Sequence, residues 1–191
     1  MFASMSCTPA AALTHTFRRR RMPLALALAI AALSVAGGGT AAAQAPPPAS
    51  YQAEVVDVCR NTLGEPVNFR RGWWFAQNDR QGFGFDKIYY KHGIQNREIV
   101  CRAVRQPTKV EGPFPGSNGG GWAHERIFGE FDCRRGRPGC ALVRSIVVRV
   151  IINYHGWSLQ PDQQQGIVTA YCKYADKRPR CPAWINNRGV R

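Results

Sequence analysis

The chain is expected to fold as an α+β domain, with short N-terminal helices packed on a roughly four-stranded antiparallel sheet and held by disulfides. Three observations carry this. Helical periodicity is confined to residues before Pro107, β-branched and alternating runs follow residue 124, and six cysteines lie in the part that folds. Helices first and strands afterwards place helices on one face of an antiparallel sheet.

The N-terminal region reads as a targeting segment. Arg18 to Arg21 precede an apolar run from Pro23 to Gly37, followed by TAAAQA. This order of basic, apolar and small residues is that of a secretory signal peptide over residues 1–45, with cleavage after Ala43 or Ala45. Met22 is an alternative start. The run is shorter than the roughly 20 residues that span a bilayer, and no later run is longer, so the mature chain is expected to be secreted, without a transmembrane segment. Residues 46–50 form a proline-rich lead-in, and residues 51–191 a single domain.

Six cysteines remain after cleavage: Cys59, Cys101, Cys133, Cys140, Cys172 and Cys181. In an oxidising compartment an even set predicts three bridges. The short separations of Cys133 from Cys140 and of Cys172 from Cys181 favour local loops, which leaves Cys59 with Cys101. No C-x-x-C or His-x-x-x-His pair favours zinc, and no metal or cofactor is expected. Without the four signal arginines, 22 Lys+Arg face 12 Asp+Glu, a formal charge of +10. That balance favours a polyanionic partner, either nucleic acid, an acidic cell-wall polymer or an anionic surface. The other source of such a charge is an arginine-rich codon bias.

Along the domain, Tyr51 to Asn61 fits a helix or a strand equally. Gly64 to Gln81 is turn-rich, with Trp73 and Trp74 expected to anchor it on the core. In GFGFDKIYYKHGI, residues 82–94, Phe85, Ile88, Tyr89 and His92 recur at i, i+3, i+4, i+7, one face of a short helix stopped by Gly93. Asn96 caps a second helix, Arg97 to Arg105. Pro107 to Gly121 reads as a loop. Glu125 to Asp132, Ser145 to Tyr154 and Gly166 to Tyr174 read as strands, with a stapled turn at Cys133 to Cys140 and a further turn at Pro161-Asp162. Alternation on the last strand puts Thr169, Tyr171 and Lys173 on one face together with Ile167. The tail after Tyr174 is expected to be irregular, tied by Cys181 and Trp184.

With every cysteine consumed and no H-E-x-x-H, G-x-S-x-G or P-loop, the reactive inventory is His, Lys, Arg, Thr and Tyr. That set suits RNA cleavage without metal. A base takes the 2′-hydroxyl proton, an acid protonates the leaving 5′-oxygen, and cations stabilise the phosphorane.

GFGFDKIYYKHGI resembles the G-F-G-x-x-K/H-I-x-x-K-H-G helix of bacterial ribonuclease toxin domains, and GIVTAYC resembles their terminal G-x-I/V-x-T-A-Y-P strand. On these motifs, spanning residues 82–174, the chain resembles the barnase/EndoU/colicin/RelE-like superfamily. The resemblance implies a metal-independent endoribonuclease acting by 2′-OH attack on RNA, tRNA included, with a cognate inhibitor protein as a further partner. It implies His92 as acid or base, Lys87 and Lys91 as phosphate contacts, and Thr169 and Tyr171 as positioning groups. His124, after the glycine-rich stretch, stands where some relatives carry a second histidine. The family's proline after the tyrosine is Cys172 here. Arg126, Arg149 and Lys173 complete the candidate substrate cations. Arg149, inside a β-branched strand, needs a partner, for which Glu130 or a phosphate qualifies. The chain is expected to be monomeric.

Each of these residues has a bland reading beside the functional one. A histidine before a C-terminal glycine interacts favourably with the helix dipole, lysines at i, i+4 form a solvated face, and Thr and Tyr are ordinary strand residues. Two other function classes use the same composition. One is a non-catalytic secreted binding module for an acidic polymer, surface or protein. The other is an enzyme inhibitor presenting the Pro107 to Gly121 loop.

Overall fold

The structure, a computed structural model, describes residues 44–78, 81–114, 120–133, 139–176, 178–187 and 190. The signal-peptide reading of residues 1–43 and the centre of the stapled turn, 134–138, lie outside the described residues. The fold is α+β. Six strands make a two-stranded sheet, β1 (Val55–Arg60) with β2 (Pro66–Arg70), and a four-stranded antiparallel sheet in the order β3 (Lys109–Phe114), β4 (Gly121–Asp132), β5 (Ala141–Trp157), β6 (Gln160–Lys173). The helices are α1 (Ala49–Ala53), α2 (Gly84–Asp86), which runs into a π-turn at Lys87–Lys91, and α3 (Arg97–Arg105).

The α3 helix forms where the sequence places it. Asn96 accepts the Glu98 amide on its side chain at 3.1 Å, a true N-cap. Ile99, Val100, Ala103 and Val104 are buried on one face. They pack on the inner face of the sheet, where Phe128, Val148, Val150, Ile152 and Ala170 are each fully buried. The predicted helix over Phe85 to His92 is present but widened to a π-turn, a distortion frequent at functional sites. Gly93, at φ 71°, stops it, and the amides of Gly93 and Ile94 close on the carbonyls of Tyr89 and Ile88.

Three disulfides hold these pieces with the expected pairing: Cys59–Cys101 ties β1 to α3, Cys133–Cys140 closes the β4–β5 hairpin, and Cys172–Cys181 ties β6 to the tail.

Several local expectations are corrected. The stretch Tyr51 to Asn61 is neither one helix nor one strand, but the end of α1 followed by β1. The expected loop from Pro107 contains edge strand β3, whose alternation is masked by the cis Gly112-Pro113 pair. Edge strands tolerate proline because one row of their amides has no partner to lose. The turn lies at Ser158-Leu159, and Pro161 and Asp162 belong to β6, the other edge strand. Trp73 and Trp74 are half-buried and do not join the core. The tail is more ordered than expected, with a 3-10 turn at Ala183–Asn186 that buries Trp184 and Ile185.

The last strand holds the most consequential correction. Ile151 pairs with Thr169 but Ile152 pairs with Ile167, so Val168 is an extra residue, a β-bulge. Ile167 is therefore in the core with Ala170 and Cys172, and does not share the face of Thr169, Tyr171 and Lys173.

Candidate active site

The outer face of the sheet, away from α3, carries a row of polar side chains across four strands. Lys109 on β3 pairs in register with Glu125 on β4, Glu125 with Arg149 on β5, and Arg149 with Tyr171 on β6. Cross-strand neighbours on one face stand about 5 Å apart, close enough for direct contact. The charges alternate along a continuous chain. Lys109 Nζ meets Glu111 at 2.5 Å, Glu111 meets Arg149 at 2.7 Å, Arg149 meets Glu125 Oε1 at 2.6 Å, and Lys173 Nζ meets the same oxygen at 2.9 Å. The Arg149 guanidinium also lies 5.6 Å from the centre of the Phe114 ring.

The environment sets the protonation of these groups. Burial alone would raise the Glu125 carboxyl, but hydrogen bonds from Lys173 and Arg149 outweigh it and hold it below the ordinary carboxylate value. Hydrogen bonds from Lys109 and Arg149 likewise lower Glu111. Burial lowers Arg149, but the two glutamates raise it by more. Glu125 is thus a carboxylate at neutral pH, with its side chain only 7% exposed, against 45% for Lys173. Two polar atoms of this face, Arg149 Nε and Thr169 Oγ1, have no hydrogen-bond partner among the described residues.

Beside the row opens a cleft of about 380 Å³, lined by Lys91, His92, Tyr171, Lys173, Tyr174 and Arg178, with Cys172 and Pro179. Lys173 belongs to both, lining the cleft while its ammonium holds Glu125. His92 reaches the cleft from the end of the π-turn, its ring centre 5.8 Å from that of Tyr171. Its Nδ1 stands 3.0 Å from the Pro179 carbonyl. A carbonyl only accepts, so Nδ1 carries the proton and Nε2 is the nitrogen that exchanges one. The loop opposite is clamped to the same turn. The Cys181 amide donates to the His92 carbonyl at 2.8 Å, and Arg180 donates to the Tyr90 carbonyl at 3.1 Å.

Of the residues singled out from sequence, the structure brings His92, Lys91, Tyr171 and Lys173 into one cleft and sets Arg149 beside them, with Thr169 on the same face of β6. His124, Arg126 and Lys87 do not join them. His124 lies on the inner face, with Nδ1 3.1 Å from the Val104 carbonyl of α3, and burial lowers its proton affinity more than that contact raises it. Arg126 donates to the Gln106 carbonyl at the end of α3, at 2.6 Å, and Lys87 donates to the Gly82 carbonyl at 2.9 Å. Glu130 is not the partner of Arg149. It pairs with Arg144, because even-numbered residues of β4 turn away from the Glu125 face.

Sequence reasoning missed Glu125, Glu111, Tyr174 and Arg178. The demand of Arg149 for a counter-charge was the available signal for the two glutamates, but choosing among carboxylates needs the strand register. Nothing in the sequence points to Tyr174 and Arg178, which reach the cleft through the Cys172–Cys181 closure.

No protein-family model, no curated protein and no solved structure matches this chain.

Proposed function

We propose that the protein is an exported, metal-independent endoribonuclease of the barnase/EndoU/colicin/RelE-like kind, with Glu125 and His92 as its proton-transfer pair. The observation that carries this reading is the run Glu125, Arg149, Tyr171 across adjacent strands with His92 against Tyr171. A carboxylate and an imidazole then flank one basic groove.

The chemistry follows from those positions. The RNA 2′-oxygen attacks the adjacent phosphorus and its proton passes to the Glu125 carboxylate. The bond from phosphorus to the 5′-oxygen breaks, and His92 in its imidazolium form gives that oxygen the Nε2 proton. The products are a 2′,3′-cyclic phosphate and a free 5′-hydroxyl. Arg149 and Lys173 offset the charge that builds on the phosphorane, and Tyr171 positions the phosphate between them. The substrate supplies the nucleophile, so no activated protein side chain is needed.

One observation favours a second reading. Two cations already hold Glu125 through Oε1, which lowers its basicity, and a groove with that arrangement binds a polyanion without cutting it. The test is oxidised protein with total RNA in EDTA. Cleavage leaving 2′,3′-cyclic ends, lost by 100-fold or more in Glu125→Gln and in His92→Ala, is expected, since each proton-transfer group contributes about 10²–10⁴-fold. Bound but intact RNA at micromolar protein gives the second reading instead.

A further inference from the structure

Tyr174 and Arg178 are outside the catalytic row, yet both face the cleft. Tyr174 packs on the edge of the core. The Arg178 guanidinium lies over its ring, 4.9 Å from the centre. Asp176 fixes that guanidinium, accepting from Arg178 Nε at 2.8 Å. The Arg178 side chain is nonetheless 62% exposed. The result is a planar cation over an aromatic ring, braced by a carboxylate and lining a basic cleft.

From this stack we propose a nucleobase subsite: an RNA base next to the bound phosphate stacks on the Arg178 guanidinium, extending the column that begins with Tyr174. The inference rests on RNA being the ligand of the cleft. Arginine suits the role because its planar, weakly hydrated guanidinium stacks on π-faces, whereas a lysine ammonium presents a point charge. The cations of the walls, Lys91, Lys173 and Arg178, donate hydrogen bonds and accept none, while the hydroxyls of Tyr171 and Tyr174 do both. The stack holds a base by its face, which every base has, so the subsite is indifferent to base identity, as stacking platforms are.

The test uses oxidised protein and five ligands: the four nucleoside 3′-monophosphates and base-free ribose 3-phosphate, titrated by NMR. The four nucleotides are expected to bind within about threefold of one another and about five- to 150-fold more tightly than ribose 3-phosphate, the range that base stacking gives. Arg178→Lys keeps the charge and removes the plane, and should abolish the advantage of the nucleotides while leaving ribose 3-phosphate affinity unchanged. Tyr174→Leu should do the same, and thermal melts check that both variants fold. The subsite is overturned by ribose 3-phosphate binding as tightly as the nucleotides, by a preference above tenfold for one base, or by an Arg178→Lys variant that keeps the advantage. RNA cleavage measured on the same samples separates this from the catalytic reading. Intact RNA with the expected nucleotide pattern removes catalysis and keeps the subsite, and cleaved RNA with ribose 3-phosphate bound as tightly as the nucleotides does the reverse.

Discussion

Removing the Cys172–Cys181 bridge should cost the protein its cleft while leaving most of its fold. The bridge closes a loop with a sequence separation of 9. Chain-entropy reasoning gives about 2.6 kcal/mol for a loop of that length at 25 °C. For a domain of this size that is a fall of about 9 °C in melting temperature, at roughly 3.5 °C per kcal/mol. The Cys59–Cys101 bridge, with a separation of 42, is worth about 3.9 kcal/mol on the same reasoning. Stability alone therefore ranks Cys59–Cys101 as the more damaging loss.

The site ranks them the other way. The loop after Cys172 supplies Tyr174, Arg178 and Pro179 to the cleft, and Pro179 holds the His92 ring. Cys59–Cys101 joins β1 to α3 and does not line the cleft. The double variants Cys172→Ala/Cys181→Ala and Cys59→Ala/Cys101→Ala can be compared by urea unfolding and by the NMR signal of the His92 Nδ1 proton. The first variant should lose less stability yet lose the hydrogen-bonded proton, and the second should lose more stability and keep it. If the first variant keeps the His92 signal, the hydrogen bonds from Arg180 and Cys181 hold the loop unaided, and the positioning role of the bridge is refuted.

Further outcomes concern the stability of the fold. Burial lowers the proton affinity of His124 below that of an unfolded histidine, near 6.5. The unfolded chain then binds more protons, so stability should fall as pH drops through about 6.5 and level off below the folded value. His124→Asn, which keeps an N–H for the Val104 carbonyl but does not titrate, should flatten that part of the profile in urea melts between pH 7 and 5.5. Glu125 acts in a separate window. Its lowered folded value gives stability that is present above about pH 4.5 and lost in stronger acid. Asn96→Ala should destabilise by about 1 kcal/mol through loss of the α3 cap, read from the urea midpoint at unchanged slope.

Local rules make the helical half and the bridges legible. Asn96 before an apolar-periodic run and Gly93 after one are signals contained in a few residues, and they place α3 and the end of the π-turn. The two short cysteine separations settle the pairing by leaving one long bridge. Long-range register is not written locally. Arg149 announces that it needs an anion, but Glu130 lies nearer to it in sequence than Glu125, and only the pairing of Arg149 with Glu125 on the outer face decides between them. The same limit explains the two histidines. His124 follows a glycine-rich stretch, as a site residue would, yet strand parity turns it onto α3. His92 looks like a core helix residue by periodicity, and the π-turn and Pro179 deliver it to the cleft.

Strand parity also explains why β6 needs its bulge. Period-2 alternation would put Ile167 on the face of Thr169, Tyr171 and Lys173. A regular strand would then either expose Ile167 or bury Tyr171 and Lys173, because a one-residue slip reverses every side chain. The extra residue at Val168 breaks the alternation once. Before it, Ile167 meets Ile152 in the core, and after it Ala170 and Cys172 continue that core while Thr169, Tyr171 and Lys173 face outward. The bulge therefore lets one edge strand contribute both to the hydrophobic interior and to a polar groove. Its position, three residues before Tyr171, lies where the strand passes from supporting β2 to lining the cleft. The Gly166 Cα hydrogen points at the Asn68 carbonyl there, 2.0 Å from where a Cβ would stand, so the close approach of β2 requires glycine at that residue. Together Gly166 and Val168 account for the G-x-V spacing of GIVTAYC in physical terms: the glycine admits a neighbouring strand, and the valine resets the face on which the tyrosine emerges.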